Sequence, residues 1–260
     1  MIGMRRIHLA WFALAVTLAA ASAWPVVATA TTAADAATGP TDGIAGRAQA
    51  LFAHANEFWS REIATLGGGY LTAKLTVYDG GQVKDACGTQ LTFSGPFYCP
   101  MEQKVYLDQA YLQQLMQRLP APQFDLALAA VLGHELGRHI QTQVGTTALV
   151  EQARARSRPK VSRQTWITAA LQADCYAGLW VHAAQMDGTI KSGAGVAAAL
   201  SAVSDLTHQH DTHLASGVEM PDPVLDYGTA AQRLKWFQRG MDSGNFNDCD
   251  TFGARAAGKL

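Results

Sequence analysis

The hydrophobic and polar positions of this chain follow a helical period over most of its length and alternate only in short stretches. From Ile44 to about Leu66, apolar side chains recur every three or four residues, which predicts one amphipathic helix. Alternation from Leu71 to Tyr78 predicts a strand after it. The same criteria predict helices at 109–118, 124–143, 164–186 and 195–207, a helix through 240 with Thr229 as its N-cap, and short strands at 91–93, 97–99 and 104–107. We therefore predict an α+β fold, in which a small sheet precedes helices that pack on it.

Glycine and proline positions set the expected helix ends. The glycines at 67–69 and Gly145 are expected to stop the first helix and the 124–143 helix. Pro120 and Pro122 are expected to end the 109–118 helix, and Pro159 is expected to begin a loop.

The first thirty residues have the pattern of an export signal. Arg5 and Arg6 precede an uncharged apolar run at 9–23, and small residues at 21–23 and 28–30 offer cleavage sites. The same run could instead remain as a membrane anchor, which needs about 20 apolar residues. In either case we predict an exported protein that is secreted, periplasmic or anchored to the cell envelope. The predicted organisation is a signal peptide or anchor at 1–30, a flexible linker at 31–43, one domain at 44–253 and a tail at 254–260.

Composition and charge narrow the functional classes. The chain has 260 residues, of which 48% are hydrophobic and 16% charged, as is typical of an ordered globular protein. Its formal net charge is −1 and no basic stripe stands out, so we expect no nucleic-acid partner. Contact with a membrane is expected only through the N-terminal segment, if that segment is retained.

Four cysteines in an exported chain favour disulfides, and three pairings are possible. Cys87 and Cys99 flank a short stretch and could close a local loop, which leaves Cys175 to join Cys249 near the C-terminus. We predict these two bridges, with four buried thiols as the alternative.

Residues 131–140 resemble a zinc-protease helix with one ligand missing. Such a helix carries H-E-x-x-H, which places two imidazoles on one face so that both bind one ion. His134 and Glu135 occupy the first two positions, but the position four residues after His134 is Arg138. Arginine has no free lone pair and stays charged, so it cannot bind a cation. His139 lies about 140° around the helix from His134, and we expect it to be partly exposed or to cap the helix.

Several blocks of the sequence resemble the bacterial neutral zinc metallopeptidase family. The stretch His134-Glu-Leu-Gly-Arg-His-Ile-Gln141 is similar to the family's H-E-x-G-H-H-x-Q. Further blocks follow in the family's order at 86–88, 95–100, 103–108, 171–178, 231–240 and 249–252. The resemblance covers roughly residues 70–253 and implies an exported, zincin-like peptidase domain.

The resemblance also implies roles for single residues. Glu135 corresponds to the general base and His134 to the one zinc ligand that is kept. Ala170 stands where the family has the glutamate that would be the third ligand, and Asp174 stands where an aspartate supports a ligand histidine. Tyr227 replaces a histidine suited to stabilise the tetrahedral intermediate, and its hydroxyl could take over part of that role as a donor.

These departures predict a homologue without catalytic zinc. With two of three ligand positions changed, we expect no cofactor and a cleft that binds peptide or protein without cleaving it. Arg138 is expected to fill the vacated site and pair with Glu135 or Asp174, or else to extend to solvent along the cleft wall. Two alternatives stay open. One is an active zinc peptidase with rearranged ligands, for example His134 with His139, and with Glu135 as general base; the other is a scaffold whose cleft binds nothing.

Two further features have weaker functional interpretations. His208, His210 and His213 form a cluster that could bind a transition metal, but we favour a solvent-exposed loop at a helix end. Residues 95–100 and 104–107 are expected to form an edge strand above the cleft, where an extended peptide could pair with it, or to have a purely structural role in the sheet.

Overall fold

The computed structural model describes residues 43–79, 83, 85–87, 95–191, 193, 195–214 and 227–260, without the side chains of 208–214. The predicted signal or anchor at 1–30, linker residues 31–42 and the predicted strand at 91–93 lie outside the described residues. No helix in the described part of the chain is long and apolar enough to cross a membrane.

Helices dominate the described residues, and a three-stranded sheet lies early in the chain. The elements are, in order, α1 Ile44–Thr65, β1 Lys74–Tyr78, β2 Phe97–Cys99, β3 Lys104–Asp108, α2 Gln109–Arg118, α3 Ala121–Gln143, α4 Thr146–Ala155, α5 Pro159–Met186, α6 Val196–Leu214, α7 Ala230–Ser243, a 3₁₀ turn Phe246–Cys249 and α8 Thr251–Ala256. The predicted α+β class is confirmed.

Most predicted elements are present with small changes at their ends. The predictions for α1, α2, β2 and β3 agree with the structure to within one residue at each end, and β1 begins at Lys74 rather than Leu71. Thr229 is the N-cap of α7, as predicted: its hydroxyl accepts a hydrogen bond from the backbone N–H of Gln232 at 3.2 Å.

The predictions are wrong where proline begins a helix. Pro122 lies in the first turn of α3 and Pro159 is the first residue of α5, so Pro159 does not begin a loop. A proline is favourable there because first-turn N–H groups have no intrahelical partner and its fixed φ suits the helix. Both helices therefore start earlier than predicted.

Two other helices run past positions where the sequence predicted a change. α6 runs to Leu214, so the backbone of the 208–213 histidine cluster is helical rather than a loop; the side chains of His208, His210 and His213 lie outside the described part. α8 runs to Ala256 and crosses the predicted boundary between domain and tail.

The sheet has the order β1-β3-β2, with β1 parallel and β2 antiparallel to β3. The expectation that residues 104–107 belong to an edge strand is therefore wrong, because β3 is central. Val105 and Leu107 of β3 are buried in the core. β3 ends at Asp108, whose carboxylate accepts a hydrogen bond from the backbone N–H of Ala110 at 2.8 Å and caps α2.

α3 and α5 lie in very close contact. A Cβ added to Gly137 would lie 2.8 Å from the carbonyl oxygen of Ala173, and one added to Gly133 would lie 2.8 Å from the Cβ of Ala177. These distances leave no room for a side chain, so glycine at both positions permits the two backbones to approach.

Two disulfides tie loops to this framework. Cys87 bonds to Cys99 of β2, and Cys175 of α5 bonds to Cys249 in the 3₁₀ turn. Both predicted pairs are confirmed, and the alternative of four buried thiols is wrong.

Candidate functional site

The contact between α3 and α5 determines which of their residues face each other. Gly133 faces Ala177 and Gly137 faces Ala173, so a step of four residues forward in α3 matches four backward in α5. Position 134 lies beside 174, as the hydrogen bond between these residues shows, and the same antiparallel step of four residues places position 138 beside 170. The three positions that the resemblance gives to zinc ligands, 134, 138 and 170, therefore lie along one face of the helix pair.

His134 is buried and is held through its Nδ1 atom by Asp174. The carboxylate Oδ1 lies 2.7 Å from Nδ1 and can only accept, so Nδ1 carries a proton, and in the neutral imidazole Nε2 has a free lone pair. Nε2 is buried and has no hydrogen-bond partner among the described residues, and His134 lines a pocket. In metal sites, a carboxylate fixes a histidine in this way while the other ring nitrogen binds the ligand.

Asp174 is itself held by Arg233, a residue to which the sequence analysis gave no role. The Nε and Nη2 atoms of the guanidinium donate to the two carboxylate oxygens over 3.0 and 3.1 Å. Burial alone would raise the pKa of Asp174, but its interactions with Arg233 and then with His134 outweigh burial and hold that pKa below its usual value. Burial would lower the pKa of Arg233, but the Asp174 carboxylate outweighs it and raises that pKa. The buried carboxylate is therefore ionised and engaged on both oxygens.

Glu135 and Tyr227 line the same pocket as His134. The ring centroids of Tyr227 and His134 lie 5.9 Å apart, and the Arg233 Cζ lies 5.7 Å from the Tyr227 ring. Tyr111 forms part of the wall, and burial raises the pKa of its hydroxyl to about 12. The cavity bounded by described residues measures about 40 Å³, which is room for a few water molecules. The structure thus brings together His134, Glu135 and Tyr227, which the sequence analysis had grouped.

Arg138 does not fill the vacated site. Its guanidinium stacks on Trp166, which lies one turn before Ala170 in α5, with Cζ 4.2 Å from the ring centroid. Asp174 is paired with Arg233 instead. The predicted pairing of Arg138 with Glu135 or Asp174 is therefore wrong, because an aromatic face, not a carboxylate, takes the cation.

His139 is fully buried, so the expectation of an exposed or capping histidine is wrong. Its Nε2 lies 2.6 Å from the carbonyl oxygen of Leu71, and its Nδ1 lies 2.9 Å from the hydroxyl of Tyr98. The carbonyl can only accept, so Nε2 carries the proton and Nδ1 accepts from the tyrosine. Burial lowers the pKa of His139 despite the hydrogen bond to Leu71. Both ring nitrogens are engaged with the sheet side of α3, and neither is free to join His134 at a metal.

The described residues do not fit a catalytic zinc, which needs three protein ligands. Ala170 is fully buried and offers only a methyl group where the third ligand would stand. In the described ranges, three potential ligand atoms come within 4.8 Å of one another only at Asp85, Cys87 and Cys99, and both of these cysteines are in a disulfide. At the pocket, His134 is the single ligand of the expected set.

Comparisons with known proteins agree with the motif blocks. The sequence profile of the family described as "Putative neutral zinc metallopeptidase" matches residues 14–252. The "Uncharacterized protein YpfJ" of Escherichia coli (strain K12) is 32% identical over 203 residues, which cover 78% of this chain and 69% of that protein. The "Uncharacterized protein Rv2575" of Mycobacterium tuberculosis (strain ATCC 25618 / H37Rv) is 33% identical over 205 residues, 73% of this chain and 66% of that protein. No solved structure matches the chain, so the zincin-like part of the predicted fold stays a prediction.

Proposed function

This chain belongs to the neutral zinc metallopeptidase family, and we propose that it is a member without catalytic activity that keeps the cleft as a binding site for peptide or protein. The observation that carries the proposal is the ligand set on the α3–α5 face. His134 offers one imidazole nitrogen to the pocket, while the other two positions are Arg138, stacked on Trp166, and Ala170.

One imidazole is not enough to retain zinc against water and other chelators. Loss of a residue that merely supports a ligand already lowers metal affinity 10- to 100-fold, so loss of two ligands lowers it much further. Glu135 then has no metal-bound water from which to take a proton. The general base of the family is present in this chain without the group on which it would act.

The rest of the pocket supports retained binding. Asp174 and Arg233 fix His134, and a buried ion pair of this kind is costly to keep unless its geometry is well satisfied. Gly95 and Pro96, just before β2, form part of the wall, so a strand-like ligand beside β2 would lie close to His134. The small cavity suits a single side chain of such a ligand, with the remainder along the surface.

The competing function is an active zinc peptidase with rearranged ligands. His139 does not supply the missing ligand, because both of its ring nitrogens are hydrogen-bonded elsewhere. Further ligands would have to come from outside the described residues.

Metal analysis of the purified chain separates these functions. We expect far less than one zinc per chain by elemental analysis after passage over a chelating resin, and no cleavage of casein above that of the Glu135→Gln variant. One zinc per chain that His134→Ala removes, or cleavage that both EDTA and Glu135→Gln abolish, would refute the proposal. In the absence of activity, protection of backbone amides at residues 95–99 by a peptide library would distinguish a binding cleft from a scaffold without ligand.

Export is a second proposal, and the two disulfides support it because such bonds persist in oxidising compartments. Alkaline phosphatase fused after residue 260 should be active in intact cells. An inactive fusion that is present at normal levels would contradict export.

A further inference from the structure

The corner between α4 and α5 carries a local excess of positive charge that the net charge of −1 conceals. Residues 153–163 contain five basic side chains and no acidic one: Arg154, Arg156, Arg158, Lys160 and Arg163. The nearest acid, Glu151, pairs with Arg154 at 3.0 Å. The statement that no basic stripe stands out is therefore wrong for this stretch, because the net charge averages over the whole chain.

Three of these cations have no ion-pair partner in the part of the chain that the structure describes. Arg156, Arg158 and Lys160 are exposed and form no ion pair with any other described residue. Unpaired surface charges of one sign that lie within a few residues of each other repel, and their fields add in the surrounding solvent.

The position of the cluster on α5 is unfavourable for the helix. Arg158 is the N-cap, Lys160 lies in the first turn, and that turn contains no acidic residue. A helix N-terminus carries a partial positive charge and favours acids, so these cations add to the field of the helix dipole.

Exposed apolar side chains lie on the same corner. Leu149 of α4 is 68% exposed and Val161 of α5 is 43% exposed. Arg154 Nε donates to Ser162 Oγ at 3.3 Å, which joins α4 to the first turns of α5. The exposed cations and apolar residues named here all lie within five positions of one of these two bonded residues. We define the α4–α5 surface as Leu149, Arg156, Arg158, Lys160 and Val161.

We propose that the α4–α5 surface binds an anionic lipid bilayer. Cations are attracted to anionic headgroups, while apolar side chains beside them enter the boundary between headgroups and acyl chains. A purely polyanionic partner would use the three cations but gain nothing from Leu149 and Val161. The combination therefore favours lipid over an acidic polymer. This inference does not rest on the proposed function, and it adds a membrane contact beyond any made by the N-terminal segment.

Hydrogen–deuterium exchange of the full chain with vesicles tests the inference, because it reads the surface itself even if the N-terminal segment also binds. With vesicles of phosphatidylglycerol and phosphatidylcholine, we expect slower exchange at residues 146–163 than with phosphatidylcholine alone. The protection should be lost in about 1 M salt, where the Debye length falls to about 3 Å. Each cation near an anionic surface contributes about 1 kcal/mol. The lipid concentration for half-maximal protection should therefore rise more than 100-fold in Arg156→Ala/Arg158→Ala/Lys160→Ala.

A matched variant controls for the change in net charge. Arg61→Ala/Lys74→Ala/Lys191→Ala removes three exposed cations elsewhere and should leave the protection at 146–163 unchanged. Leu149→Ser should weaken binding to vesicles, whereas Leu66→Ser, at a site that is 50% exposed, should not. Equal protection by neutral vesicles, or no difference between the two triple variants, would overturn the inference. Protection by polyglutamate that equals that of the vesicles and does not change in Leu149→Ser would also overturn it, in favour of an acidic macromolecule.

Discussion

Two successive turns of the α3–α5 pair differ sharply in what they retain. At one turn, His134 and Asp174 face each other in hydrogen-bonding contact, and Arg233 completes the arrangement from α7. One turn further, the same helix step places position 138 beside 170, and the Arg138 guanidinium stacks on Trp166. The turn with His134 and Asp174 has the polar contacts of a ligand histidine. The turn with Arg138 and Ala170 is an apolar helix contact, and its one charged group lies on an aromatic ring.

The closest contacts between the two helices do not involve the expected ligand side chains. The close contacts are made by Gly133 with Ala177 and by Gly137 with Ala173, and none of these four residues is at a ligand position. The disulfide Cys175–Cys249 and the buried core also fix α5 in place, through contacts away from the ligand positions. We therefore expect substitutions at positions 138 and 170 to have local consequences and to leave the helix packing intact.

The largest expected effect on stability comes from removing the carboxylate of Asp174, which pairs with Arg233 and holds His134. Asp174→Ala should lower the free energy of unfolding by about 3–5 kcal/mol, because it leaves the buried Arg233 without a counter-charge. Chemical denaturation measures this. Asp125→Ala breaks the half-exposed pair with Arg47, which resembles it in geometry, and should lower the free energy of unfolding by less than about 1 kcal/mol.

A double variant tests the reason for that loss. Asp174→Ala/Arg233→Met removes both charges and should be more stable than Asp174→Ala alone, since no unpaired ion remains in the core. If Asp174→Ala alone unfolds within 1 kcal/mol of the parent, the pair is not the buried contact described above.

The next largest effect comes from placing metal ligands at positions 138 and 170. Arg138→His with Ala170→Glu should bind one zinc per chain, because positions 134, 138 and 170 lie along one face. At free zinc about 100-fold above the dissociation constant, binding should stabilise the fold by about 2.7 kcal/mol. Elemental analysis and thermal unfolding with and without zinc measure both. Adding His134→Ala to the double variant should abolish the effect, and a folded double variant that stays free of metal would show that the assignment of positions 138 and 170 is mistaken.

A smaller effect is expected from removing the charge of Arg138, which stacks on Trp166. Arg138→Met keeps the apolar stem and removes the stacking of a guanidinium on Trp166, so the free energy of unfolding should fall by about 0.5–1 kcal/mol. Arg154→Met, which removes the second cation on the same ring at 4.7 Å, should behave alike. A loss of 3 kcal/mol or more for Arg138→Met would instead mean that Arg138 neutralises a buried acid.

Much of this architecture could be predicted from the sequence because periodicity and spacing are local signals. The long helices, β2, β3 and the Thr229 cap follow directly from apolar period and capping chemistry. α4 was missed because only Val150 is buried along it, so it has almost no apolar stripe to detect. Pro159 was misinterpreted because proline ends one helix and begins another with equal ease.

The site divides in the same way. His134, Glu135 and the changed position at Arg138 are visible in the spacing of one helix, but the partner of each side chain depends on contacts between helices distant in sequence. Asp174 was expected to need a counter-charge, yet the sequence could not say that Arg233, 59 residues away, supplies it. The turn of Arg138 toward Trp166 depends on the same unseen register.

The smallest effect concerns His139, the neighbour of Arg138 that faces away from the pocket. Burial lowers its pKa below the ordinary value of 6.5, so near that pH the unfolded chain binds a proton more readily than the folded chain. The contribution of the neutral His139 to stability is therefore fully present above pH 6.5, and it is lost as the pH falls through the lowered pKa of the folded state. His139→Phe removes this ionisation, so urea denaturation at pH 7.5 and 5.5 should show a smaller drop for the variant than for the parent. Equal drops would mean that His139 is charged when buried, which would release Nδ1 from the Tyr98 hydroxyl and reopen the question of what this second histidine binds.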